Sequence, residues 1–117
     1  MEDLKNIISQ VFVLALSAKA WEWYSSSAYR ADVYNELSKT LFDWIGDVGE
    51  IMQASEGAKL NFTGVKYTVS KFSTDELTLL AREVKKQLAE CQEVSFNGQL
   101  HYLLLVLHKT ISKLEKK

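Results

Sequence analysis

Residues 57–76 read GAKLNFTGVKYTVSKFSTDE, and the length of this run between two helical patterns decides the topology. Upstream, Val33, Leu37, Leu41, Trp44, Val48, Ile51 and Met52 recur at helical intervals, which predicts a second helix over roughly Ala28 to Ser55. Downstream, Ser73 with Glu76 makes a capping box for a third helix, which buries Leu77, Leu80, Ala81, Val84, Leu88 and Cys91 and turns Arg82, Lys86 and Glu90 outward. A helix of about 28 residues is roughly 42 Å long, and a connection of about 16 residues reaches roughly 50 Å when extended. The connection can therefore run the whole length of helix 2, where an up-down bundle needs only a short loop. Within it, Phe62, Val65, Tyr67, Val69 and Phe72 alternate with polar residues, a pattern compatible with a short strand or a helical turn. The expected fold is all-α: a four-helix bundle with a long crossover between helices 2 and 3.

The outer helices complete that bundle. Helix 1, roughly Asp3 to Tyr24, carries Leu4, Ile7, Ile8, Val11, Leu14, Ala15 and Ala18 on one stripe. Val13, Leu16 and Ala20 lie on the other side, so this helix is apolar nearly all round and is expected to meet a second surface. Ser25, Ser26 and Ser27 break the chain and cap helix 2. Helix 4 begins near Phe96 and buries Leu100, Leu103, Leu104, Leu107, Ile111 and Leu114. With 117 residues, 47% of them apolar, no proline and a net charge of −1, the chain reads as one domain spanning residues 1–117. That charge gives no general attraction to nucleic acid or to acidic membranes. The apolar run VFVLAL is too short to span a bilayer and lacks the flanks of a signal peptide. The single Cys91 excludes an internal disulfide, and the default location is cytoplasmic.

The stretch from Ala20 to Leu77, beginning AWEWYSSSAYRADVYNELSKTLFDWIGDVGEIMQ, resembles the central part of the Dps family, the mini-ferritins. The resemblance covers about half the chain and implies a ferritin-like bundle. In that family helix 1 ends in a His-Trp pair, helix 2 carries a second His, an acid one turn later and a later Asp and Glu, and the ligands bind iron between two subunits. Aligned on Trp21, those positions fall on Ala20-Trp21, Asp32, Glu36, Asp47 and Ile51, with Gly57 at the helix end. Trp21, Glu36 and Asp47 fit. Ala20 stands for the first His, Asp32 for the second and Ile51 for the chief bridging Glu, and neither alanine nor isoleucine ligates a metal. Glu-x-x-His, the usual ferritin signature, does not occur in the sequence.

Two functional expectations follow. The first is a bundle that has lost the family's iron oxidation and works by self-association or by binding a protein partner, with no cofactor and no catalytic residue. Its interface is expected at Val13 and Leu16, with Trp21 or Trp23. The alternative is a Dps-like metal-binding or iron-storage protein whose site is rebuilt from Asp32, Glu36, Asp47 and Glu22, all oxygen ligands suited to iron or another divalent cation. Asp32, Glu36, Asp43, Asp47 and Glu50 fall within about 60° on a helical wheel, well off the buried face, and the simpler reading is a solvated ridge. Glu22 has an equally plain reading, a helix-end acid that reaches water or pairs with Arg30. His101 and His108, seven residues apart, are about 10.5 Å apart along the axis and cannot share one ion. They read as boundary histidines. The start Met1-Glu2-Asp3 offers no basic arm for DNA, and Lys113, Lys116 and Lys117 suit a helix C-terminus. No phosphate loop or nucleophile elbow is present.

Overall fold

A computed structural model describes residues 2–57, 74–90 and 94–115, apart from the side chains of residues 2–4, 55–56, 74–76, 87–88, 90 and 94–95. Every element among the described residues is a helix: α1 Glu2–Tyr24, α2 Ala28–Glu56, α3 Thr74–Glu90 and α4 Val94–Glu115. The connection expected to form a crossover, residues 58–73, the expected Ser73–Glu76 capping box, the side chains of Leu4 and Leu88, and Cys91, Lys116 and Lys117 lie outside the described residues.

The boundaries of α2 follow from local chemistry. Ser27 has an extended backbone (φ −99°, ψ 122°) and its Oγ accepts from the Arg30 N–H at 3.2 Å, the geometry of an N-cap. At the far end Gly57 adopts φ 64°, and its N–H donates to the Gln53 carbonyl at 3.0 Å and to Met52. That left-handed conformation costs an L side chain about 1–2 kcal/mol, so glycine is the residue that ends the helix cleanly. Gly46 and Gly49 do not interrupt α2, which runs continuously through both.

α1 and α2 are antiparallel and close. Ala15 and Ala18 are small enough for the axes to approach, and the Ser38 Oγ donates to the Ala15 carbonyl at 2.9 Å in the core between them. α2 and α4 are also antiparallel: Tyr29 Oη donates to the Lys113 carbonyl at 3.2 Å, Arg30 Nη2 to Leu114 at 3.5 Å, and Trp44 Nε1 to Gln99 at 2.7 Å. As the number rises along α2 it falls along α4. The Tyr29 and Arg30 donors meet α4 carbonyls that have no intrahelical partner at its C-terminus. α3 packs on α1 and α4, while α1 and α4, and α2 and α3, do not pack on each other among the described residues.

One core fills the space between the helices. Ile7, Val11, Leu14, Leu37, Leu41, Trp44, Val48, Leu77, Val84, Phe96, Leu100 and Leu107 are all buried in it. Each follows its helix's apolar stripe.

Candidate functional site

Two surfaces flank α2. The first is the seam with α1. Lys5, Phe12, Leu16 and Trp23 recur at intervals of 7, 4 and 7 along α1, which places them on one side of that helix. Across the seam, Phe12 and Phe42 meet edge to face with centroids 6.3 Å apart, and Phe42 remains 39% exposed. Lys19 Nζ donates to Asn35 Oδ1 at 2.9 Å one level further on, and Trp23 stands 72% exposed beyond it. Val13 and Leu16 are half-buried. Gly46 lies one turn past Phe42, and a Cβ built there meets nothing within 4 Å.

Trp21 does not reach this surface. It is 4% exposed and packs edge to face on Tyr34 at 5.8 Å, because its spacing from Leu14 and Ala18 continues the buried stripe of α1. Of the two tryptophans expected at an interface, only Trp23 faces outward. Ala20, expected on the outer side, is 7% exposed.

The second surface is the cleft between α2 and α4, about 160 Å³ in volume. Val33, Leu37 and Val106 supply apolar walls, Thr40 and Thr110 sit between them, and Lys109, Lys113 and Glu36 stand at the edge. The Lys113 Nζ lies 3.5 Å from Glu36 Oε2 in an exposed pair. Such pairs contribute about 0–1 kcal/mol. Nothing in the sequence alone marked this cleft, because it depends on which helix lies beside α2.

The candidate metal ligands are spread out. Asp32, Glu36 and Asp47 are exposed on α2, as are Asp43 and Glu50. Glu22 is half-buried and pairs with Lys19, whose Nζ comes within 2.8 Å of Oε1, rather than with Arg30. The i,i+3 spacing on one helix brings Lys19 to it, while Arg30 is drawn to the end of α4. Among the described residues no three His, Cys, Asp or Glu side chains gather closely enough to hold an ion. His101 and His108 are both exposed on α4. No helix among the described residues is long and apolar enough to cross a membrane.

Along the seam Phe12 is half-buried against the core, while the Phe42 ring stays partly open and the Trp23 indole projects from it. Comparison of the chain with family models, with curated proteins and with solved structures gave no match.

Proposed function

We propose that this protein is a non-catalytic, ferritin-like helical bundle that associates with copies of itself through the outer face of α1 and the adjoining edge of α2. The observation that carries the reading is the strip of Trp23, Leu16, Val13, Phe12 and Phe42, which one bundle leaves only partly covered. The crossover topology is supported by helix direction. α2 runs antiparallel to α4, and α3 packs on α4 after a separation of only three residues, 91–93. Helices joined so closely and packed together form an antiparallel hairpin, which makes α2 and α3 parallel. That relative direction is the one a crossover between helices 2 and 3 requires.

Magnitudes set the expected strength. Full burial of an apolar side chain is worth about 1.5–3 kcal/mol, and association costs about 4–15 kcal/mol. Four or five side chains, several already half-covered, leave a small surplus, so micromolar rather than nanomolar dimerisation is expected. Lys5 and Lys39 are exposed at the rim of the strip.

Sedimentation velocity from 1 to 100 µM, at low and high salt, tests the proposal. The expected result is a concentration-dependent dimer or larger species, abolished in Trp23→Glu/Leu16→Glu with helical circular dichroism retained. A wild type that stays monomeric at 100 µM refutes it.

A further inference from the structure

Along the outer edge of α2, Asn35, Lys39, Phe42, Gly46, Glu50 and Gln53 follow one another at intervals of 4, 3, 4, 4 and 3. On a helical wheel these positions fall within about 80° of one another. All six are exposed, Phe42 at 39%. The stripe has a centre. Asn35 with Gln53, Phe42 with Gly46, and Lys39 with Glu50 are each spaced about the level of residue 44, and at about 1.5 Å per residue their midpoints agree within about 1 Å.

A stripe with this order is complementary to itself when a second copy lies antiparallel across a two-fold axis, because residue i then meets j and j meets i. In that register Phe42 of each copy lies over Gly46 of the other, and Lys39 over Glu50. The middle has room for the ring, since a Cβ built at Gly46 meets nothing within 4 Å. The charges are available as well: neither Lys39 nor Glu50 makes an ion pair among the described residues. A parallel arrangement would set Lys39 against Lys39 and Glu50 against Glu50, so charge selects the antiparallel one. At a shallow crossing of about 20°, points about 8 Å from the axis have moved apart sideways by only about 3 Å, within reach of a lysine and a glutamate.

We propose that the second copy docks α2 on α2 across a two-fold axis at the level of residue 44, with Phe42 over the partner's Gly46 and Lys39 beside the partner's Glu50. This inference rests on the association reading and fixes its register. A helix stripe about 27 Å long and about 10 Å wide offers about 270 Å², roughly a third of the 800 Å² per partner of a standard interface. The outer face of α1 beside it supplies the rest. The Lys39–Glu50 pairs stay at the wet rim, where they set orientation more than strength.

The test is the dimer dissociation constant of the full chain and its variants by sedimentation, with circular dichroism to check that the helices persist. Gly46→Leu fills the gap under the ring and should raise Kd about tenfold or more, while its urea midpoint, taken where the chain is monomeric, rises because leucine is the better helix former. A folding defect would lower that midpoint. Lys39→Glu and Glu50→Lys each replace two attractive pairs by two repulsive ones and should raise Kd about three- to tenfold. The combined Lys39→Glu/Glu50→Lys exchange restores both pairs and should return Kd to within about threefold of wild type. A wild type that associates while Gly46→Leu and the two charge reversals keep its Kd would overturn this contact and leave the association reading standing. A combined exchange no tighter than the single reversals would overturn the antiparallel register, and a wild type monomeric at 100 µM would overturn both readings.

Discussion

Trp44 joins the longest helix to its neighbour, and replacing it with phenylalanine separates two contributions to stability. The side chain is 1% exposed, and its Nε1 donates to the Gln99 carbonyl on α4 at 2.7 Å. Removing the donor loses a hydrogen bond worth about 1 kcal/mol net; the carbonyl can keep its helical partner on the other lone pair, so no acceptor is orphaned. Phenylalanine is smaller by roughly 40 Å³, and at about 24 cal/mol per Å³ of unfilled cavity that costs about another 1 kcal/mol. The expected loss for Trp44→Phe is about 2 kcal/mol. With a urea m-value of about 1.5–2 kcal/mol/M for a domain of this size, the midpoint falls by about 1 M. Trp23→Phe, at a site 72% exposed, is the control and should stay within about 0.5 kcal/mol. Both are measured by circular dichroism at a protein concentration low enough for the chain to be monomeric, since association through Trp23 would add concentration-dependent stability. Amide exchange gives an independent reading: the Trp44 indole N–H should be protected and that of Trp23 should not. A Trp44→Phe midpoint no lower than that of Trp23→Phe would refute the packing of α2 on α4 described above.

Glycine substitutions should act in opposite directions on α2. Gly57→Ala, at φ 64°, should lose about 1 kcal/mol, whereas Gly46→Ala, in an open helical position, should gain about 1 kcal/mol in the monomer; urea titration of both checks this. Ser27→Ala removes the acceptor of the Arg30 N–H and should cost about 1 kcal/mol by the same assay. Ferrous ion should be oxidised no faster with the protein than without it, followed by absorbance under air. Saturable oxidation lost in Asp47→Ala would favour the rebuilt carboxylate site instead.

The helices were legible because each keeps its period from end to end. Leu37, Leu41, Trp44 and Val48 are buried where a 3.6-residue repeat puts them, and Ser27 and Gly57 carry chemistry that works at a helix end and nowhere inside one. Trp21 was legible in part: its spacing from Ala18 continued the stripe, but its place beside Trp23 near the helix end drew it into the outer set. The neighbour relations were less accessible. Tyr29 and Arg30 reaching the end of α4, Trp44 reaching its beginning, and the cleft between Thr40 and Thr110 all join residues far apart in the chain, and a local periodicity carries no information about them.

The acids of α2 connect these surfaces and also limit what they can do. Glu36 faces α4, where it meets Lys113. Asp43 and Asp47 follow at 7 and 11 residues, which keeps them on the same stripe. Carboxylates four apart on a helix repel by about 0.2–0.5 kcal/mol per pair, a cost that water, salt and nearby lysines readily reduce. A divalent ion needs about six oxygens at 2.0–2.6 Å, and one helix turn brings at most two carboxylates together. A metal site built on this ridge therefore has to complete its shell with water or with ligands from a second chain. The strip proposed to join two copies is the α1 seam, centred on Phe12 and Phe42, and the ridge turns away from it toward α4. Association through that strip leaves the acids in solvent, so evidence for the α1 dimer would count against a metal site bridged between two copies, which would require a different interface.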